Sequence, residues 1–213
     1  MAKVKSIAQQ VNDYLNSRIH LISEGVILNS IRGPIRQHLI DSPEYISMTT
    51  ENGGLRGMFG FEKGTEVSYV NAIIDRIVSE MSIKITKLAI KNTNLLLNFD
   101  TTVIDYSKTT IFGMSESRID TGKSDRGEDS VELPWVSWLL QLGNKIIVQG
   151  FHVEFVSGSE YSRSGAALMF ENGFWAVPNK YAGTENNNWI TRALLDGKNQ
   201  PKATLHTAFQ VGI

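Results

Sequence analysis

Residues 65–99 read TEVSYVNAIIDRIVSEMSIKITKLAIKNTNLLLNF, and a change of rhythm inside this stretch decides the fold class. From Thr65, the expected cap, Val67, Val70, Ile74, Ile77 and Met81 recur at three- and four-residue intervals, which puts them on one stripe of a helix. At Ser82 the period falls to two. Ile83 and Ile85 alternate with Lys84 and Thr86, as in a strand with one apolar face. The apolar phase then shifts at Leu88 and Ile90, which predicts a bulge. Asn92-Thr93-Asn94 has turn chemistry, and Leu95, Leu97 and Phe99 form the returning strand of a hairpin.

Toward the N-terminus the pattern is helical. Val4, Ile7, Val11, Leu15, Ile19 and Ile22 mark one helix, and Ile27, Ile31, Ile35 and Leu39 mark a second. Gly33-Pro34 is expected to kink or restart that second helix, because proline lacks the amide donor and crowds the preceding turn. Ser42-Pro43 reads as the cap and first residue of a short helical turn through Tyr45 and Met48. Residues 51–64 scatter five glycines among Leu55, Met58, Phe59 and Phe61 and read as a loop with apolar anchors.

Toward the C-terminus, residues 107–132 are polar and aperiodic, the pattern of a long exposed loop. Leu133–Leu140 predicts a short buried helix with Pro134 near its start and Gly143-Asn144 as its stop. Strand-like runs follow at 145–148, 151–155 and 166–170. Asn172-Gly173 signals a hairpin turn returning through Phe174–Val177. A helix is expected over 186–196, stopped by Gly197, and a final strand over 204–211. Helices over 1–81 followed by a strand-rich part over 82–213 make an α+β pattern in a single domain. Its parts are N-terminal helices, an antiparallel sheet with a long hairpin, and a C-terminal helix.

A chain of 213 residues hides roughly 70% of its unfolded surface on folding, enough for a core without staples. A net charge of -1 argues against a general nucleic-acid binder and gives no basis for sequence-specific recognition, since phosphate contact needs clustered lysine and arginine. With no cysteine, disulfides and thiolate metal sites are excluded, which fits a reducing cytoplasm. No apolar segment follows Lys3 and Lys5 as in a signal peptide, and no run approaches the ~20 residues that span a bilayer, so no membrane partner is expected.

No catalytic pattern stands out, and no cofactor or metal is expected. Thr121-Gly122-Lys123-Ser124 looks like the end of a phosphate-binding loop, but Ser117 occupies the position where that motif needs glycine. His20, His38, His152 and His206 lack ligand spacing. Ser159, Ser162 and Ser164 crowd a glycine-rich turn without a nucleophile elbow. Asp125, Glu128 and Asp129 fall in the polar loop, where a solvated face is the default. Trp135, Trp138, Trp175 and Trp189 lack the basic groove that base stacking requires, which leaves core packing or subunit anchoring.

Residues 133–140, Ser162-Arg163-Ser164-Gly165-Ala166-Ala167-Leu168-Met169, Trp175-Ala176-Val177-Pro178, Tyr181-Ala182-Gly183-Thr184 and Asn188-Trp189-Ile190-Thr191-Arg192-Ala193-Leu194 resemble, in order and spacing, a family of tailed-bacteriophage virion proteins of the neck or tail-completion type. Ser42-Pro43-Glu44-Tyr45, Leu55-Arg56-Gly57 and Gly60 extend the likeness toward the N-terminus. The resemblance implies a non-enzymatic ring subunit, made in the host bacterial cytoplasm and resident in the virion. Its partners would be copies of itself and neighbouring neck or tail proteins. Ring contacts need apolar or arginine anchors, and Trp175, Trp189, Arg163 and Arg192 are the candidates. The 107–132 loop either reaches a neighbouring subunit or a different ring, gaining order only on assembly, or is simple surface disorder. Two other classes stay open: a small metal-dependent hydrolase or nuclease with dispersed Asp, Glu and His, and an assembly factor absent from the finished particle.

Overall fold

The computed structural model describes residues 6–18, 24–51, 53–91, 94–120, 132–143, 148–156, 158 and 160–195. Among these, five helices come first: α1 (Ile7–Arg18), α2 (Glu24–Ile40), α3 (Pro43–Thr49), α4 (Gly54–Phe59) and α5 (Glu66–Glu80). Strands β1 (Ser82–Lys91) and β2 (Asn94–Thr102) form an antiparallel ribbon, and β3 (Ile119–Asp120) pairs with β4 (Glu132–Leu133). Helix α6 (Trp135–Ser137) passes directly into a π-helical turn (Trp138–Leu142). A second ribbon, β5 (Val148–Phe155) with β6 (Ala167–Trp175), and the short helix α7 (Trp189–Leu194) follow. The fold is α+β, and each sheet among the described residues has two antiparallel strands.

The core forms where the helical stripes meet. Ile27, Ile31, Ile35 and Leu39 of α2 are all buried against Val70, Ile73, Ile74 and Ile77 of α5 and the aromatic residues described below. Helix α2 continues through Pro34, so there is no fresh start at Gly33-Pro34. A proline in a helix interior costs about 3 kcal/mol. Burying four large aliphatic side chains returns about 1.5–3 kcal/mol each, so the stripe outweighs the lost hydrogen bond.

The predicted α5, the β1–β2 ribbon and the bulge all form, with the register shifting between Ile85 and Lys87. Ser42 caps α3 as expected, its hydroxyl accepting from the Tyr45 amide at 3.2 Å. Pro134 precedes α6, and the π turn stops at Gly143. The 51–64 segment is not a simple loop. Leu55 and Phe59 are fully buried, and that burial draws Gly54–Phe59 into helix α4, closed by Gly60 in a left-handed conformation.

Residues 107–120 also depart from the expected exposed loop. Ile111, Ser117 and Ile119 are buried. The Glu80 carboxylate accepts from the Thr109 hydroxyl at 2.6 Å, the Thr110 hydroxyl at 2.6 Å and the Thr110 amide at 3.1 Å, which fastens the segment to the end of α5. The remainder of that loop, the Thr121–Ser124 motif, Asp125, Glu128 and Asp129 lie outside the described residues, as do His20, Ser159, His206, Gly197 and the strand expected over 204–211.

Asn172-Gly173 is not the hairpin turn it resembles. Strand β6 runs straight through it, and the β5–β6 register slips between Gln149 and Phe151 on one strand and Phe174 and Glu171 on the other. Gly150, Asn172 and Gly173 all carry positive φ, at 87°, 69° and 116°. The left-handed tolerance that suits Asn-Gly to a tight turn serves here to make a bulge. The ribbon is instead connected through residues 156–166, where Val156 donates to the Ala166 carbonyl and Gly158 to that of Gly165.

Candidate functional site

Phe59 sits among four rings, those of Phe61, Trp135, Trp138 and Trp175, at centroid distances of 6.2, 6.1, 5.9 and 6.2 Å. Trp138 meets Trp175 at 5.1 Å with their planes 69° apart, an edge-to-face arrangement favoured by the ring quadrupoles. Trp175 is therefore core, not a subunit anchor. Trp189 is fully buried, and its Nε1 donates to the Ser42 hydroxyl at 2.7 Å. Neither tryptophan offers a face to a neighbouring subunit, which corrects the expectation placed on both.

Arg192 is likewise committed within the chain. Its Nε donates to Glu44 Oε1 at 2.7 Å, Nη1 to the Ala182 carbonyl and to Asn187 Oδ1, and Nη2 to the Tyr181 carbonyl. The Glu44 side chain is only 3% exposed, so the guanidinium neutralises a carboxylate inside the fold. Asn188 completes this hub. Its side chain and that of Thr191 form a reciprocal capping box for α7, and its Nδ2 also donates to the Tyr106 hydroxyl at 2.8 Å. Burial first, and the nearby Glu185 charge second, push the Tyr106 phenol up to about 12.

The paired motifs of the sequence thus meet in space. Ser42 and Glu44 join Trp189 and Arg192, while Gly57 lies against Ala166, Ala167 and Phe155 of the β5–β6 region. Gly183 packs on the π turn so closely that a Cβ there would stand 1.7 Å from the Leu139 carbonyl oxygen.

Arg163 is exposed, and its Nη1 donates to the Asp120 carbonyl. Its Nη2 lies 2.8 Å from where a Cβ on Gly60 would stand. Loss of solvent pulls its pKa below the usual arginine value, against the charges of Asp120 and Glu62. Arg163 belongs to the wall of a cavity of about 840 Å³ between α4 and the 156–166 connection. Arg56, Lys63, Glu51 and Glu160 line the same cavity, so its charge is mixed. Ser162 and Ser164 also reach it, but their hydroxyls bond each other and the backbone of Ala166 and Ala167. These two serines shape a turn.

The β5–β6 ribbon carries the feature that sequence reading missed. Phe151, Phe155, Met169, Phe170 and Phe174 are each between 41% and 64% exposed. Registry puts Phe151, Val153, Phe155 and Met169 on one face and His152 and Phe170 on the other. On that second face His152 bonds the Glu154 carboxylate at 2.9 Å and the Asn172 carbonyl, and the two contacts, in that order, raise its pKa. A two-stranded ribbon is marginal in water by itself, and large apolar side chains on both faces add to the exposure. The alternation of Phe151, Val153 and Phe155 was the available signal, but alternation does not say whether the apolar face is covered.

Among the described residues no group of three His, Asp or Glu side chains is placed to hold a metal ion, and no helix is long and apolar enough to cross a membrane. Comparison with protein-family models, curated proteins and solved structures finds no match.

Proposed function

We propose that this chain is a structural subunit of a tailed-bacteriophage particle, a protein that works by assembling into an oligomeric ring at the head–tail junction or tail end. The observation that carries the assembly reading is the β5–β6 ribbon, whose two faces leave Phe151, Phe155, Met169, Phe170 and Phe174 open to solvent. Exposed apolar patches of this kind mark contact surfaces. The phage assignment rests on the motif resemblance. It is supported by the way those motifs pack on one another, Ser42 and Glu44 on Trp189 and Arg192 and Gly57 on Ala166 and Ala167.

Two measurements test the reading. Light scattering on purified protein should give a mass that is a multiple of 23.7 kDa and rises with concentration. Mass spectrometry of purified particles should find the chain in the virion. A monomer at every concentration, absent from particles, would overturn the proposal.

A further inference from the structure

We infer that the cavity between α4 and the 156–166 connection is a recognition site for an acidic peptide segment, whose carboxylate binds at Arg56 and Arg163 and whose neighbouring apolar residue lies on Phe155. The wall comes from one chain, so the site is complete in the monomer and stands apart from ring assembly.

The first observation is an unmet donor. Arg56 of α4 is 3% exposed, and its Nη1 donates to the Glu51 carbonyl at 3.2 Å, but its Nε has no hydrogen-bond acceptor among the described residues. Glu66 Oε1 lies 3.4 Å from that nitrogen, near enough to balance the charge without accepting a hydrogen bond. Buried polar groups are nearly always hydrogen-bonded, because leaving one unmet forfeits its hydration without return. A guanidinium in this state gains by turning toward an acceptor, and the cavity that Arg56 lines is where one can enter.

The second observation is a second guanidinium brought to the same place from far along the chain. Arg163 Nη2 lies against Gly60, which caps α4 four positions after Arg56, so the two arginines meet within about one helical turn. The Arg163 Nη1 is held by the Asp120 carbonyl, and the group has lost part of its solvent, which costs a cation unless a counter-charge compensates. Lys63 adds a third positive charge to the wall.

The lining decides which anion fits. Glu51 and Glu160 share the wall, and they repel a doubly charged group such as phosphate twice as strongly as a single carboxylate. The volume of about 840 Å³ falls in the range of about 300–1,000 Å³ that encloses organic ligands, and a free inorganic ion would fill little of it. Phe155, which is 56% exposed, and Ala166 add apolar surface beside the charges. An extended peptide with an acidic residue next to an aliphatic one satisfies all three conditions.

The test titrates acetyl-Ala-Glu-Leu-amide, acetyl-Ala-Gln-Leu-amide and inorganic phosphate separately into the full chain, with the arginine Nε–Hε resonances read by NMR. The Glu peptide should shift the Arg56 signal saturably and bind about tenfold more tightly than the Gln peptide, the effect of one charge-assisted hydrogen bond. Arg163→Gln should weaken the Glu peptide about tenfold and leave the Gln peptide unchanged. Glu160→Gln should tighten the Glu peptide, because a repelling charge is removed. Both positions are exposed, so neither change disturbs the core. Equal binding of the two peptides, tighter binding of phosphate than of the Glu peptide, or an Arg56 signal that does not move up to about 10 mM peptide would each overturn the site. An R163Q chain that folds and binds the Glu peptide like the wild type would overturn it as well. If R163Q does not fold, E160Q decides, and an unchanged affinity for the Glu peptide sinks the inference.

Discussion

Replacing Arg192 by alanine tests the ion pair that joins α7 to α3. The wild-type side chain is 28% exposed and faces a Glu44 carboxylate that is 3% exposed, at 2.7 Å. Removing the guanidinium strands that carboxylate away from water and takes donors from the carbonyls of Tyr181 and Ala182 and from Asn187 Oδ1. Breaking a buried pair costs about 3–5 kcal/mol, whereas an exposed pair is worth under about 1 kcal/mol. Because part of Arg192 already meets solvent, water can reach the vacated space, and the lower figure of about 3 kcal/mol applies. At this chain length each kcal/mol moves the melting temperature by about 2–4 °C, so R192A should melt about 10 °C below the wild type by calorimetry. Glu44→Gln should cost less, because the guanidinium left without its counter-charge is 28% exposed and keeps its acceptors on Tyr181, Ala182 and Asn187. In a double-mutant cycle the E44Q/R192A chain should be more stable than the sum of the single effects predicts. A drop under 2 °C for R192A, or strict additivity, would refute the view that this pair ties α3 to α7.

Gly183→Ala should fail to accumulate as soluble folded protein, or lose more than about 3 kcal/mol in urea unfolding, because its Cβ meets the Leu139 carbonyl. Burial acts to raise the Glu80 pKa, yet the hydrogen bonds from Thr109 and Thr110 and the charge of Arg76 outweigh it and leave the pKa below its usual 4.5. Its contribution is therefore present above pH 4.5 and lost as pH falls through the lowered value, so melting curves of wild type and Glu80→Gln should differ at pH 7 and converge in acid. In a spectrophotometric titration one of the six tyrosines should ionise only near pH 12, and Tyr106→Phe should abolish that step. The unfolded phenol ionises near 10, so the stability Tyr106 contributes is complete below that pH and lost as pH climbs from 10 through 12. His152 should titrate above 6.5 by NMR, its ribbon contacts strongest in the protonated form and weakening as pH rises through the raised pKa. Glu154→Gln should bring the value down.

Local features are the ones legible in the sequence alone. The three- and four-residue spacing that makes α5, the switch to period two at Ser82, the phase slip that becomes a bulge and the Ser42-Pro43 cap each lie within a few residues of one another. Steric limits on φ and ψ and the geometry of one turn decide them. The α+β class follows from those alone. The motifs that carry the resemblance are equally visible, although their meaning as a hub is not, because Ser42 and Trp189 meet across 147 positions of chain.

Tertiary packing settled everything that depends on which way a residue faces. Pro34 stays helical because the stripe around it is buried, and Asn172-Gly173 makes a bulge because β6 continues past it to place Trp175 in the core. Tryptophans that read equally well as anchors turned inward, and phenylalanines that read as ordinary strand residues stayed outside. A sequence states how apolar each position is; whether water is removed from it depends on what other segments bring to that place, and burial supplies most of the free energy of folding and association.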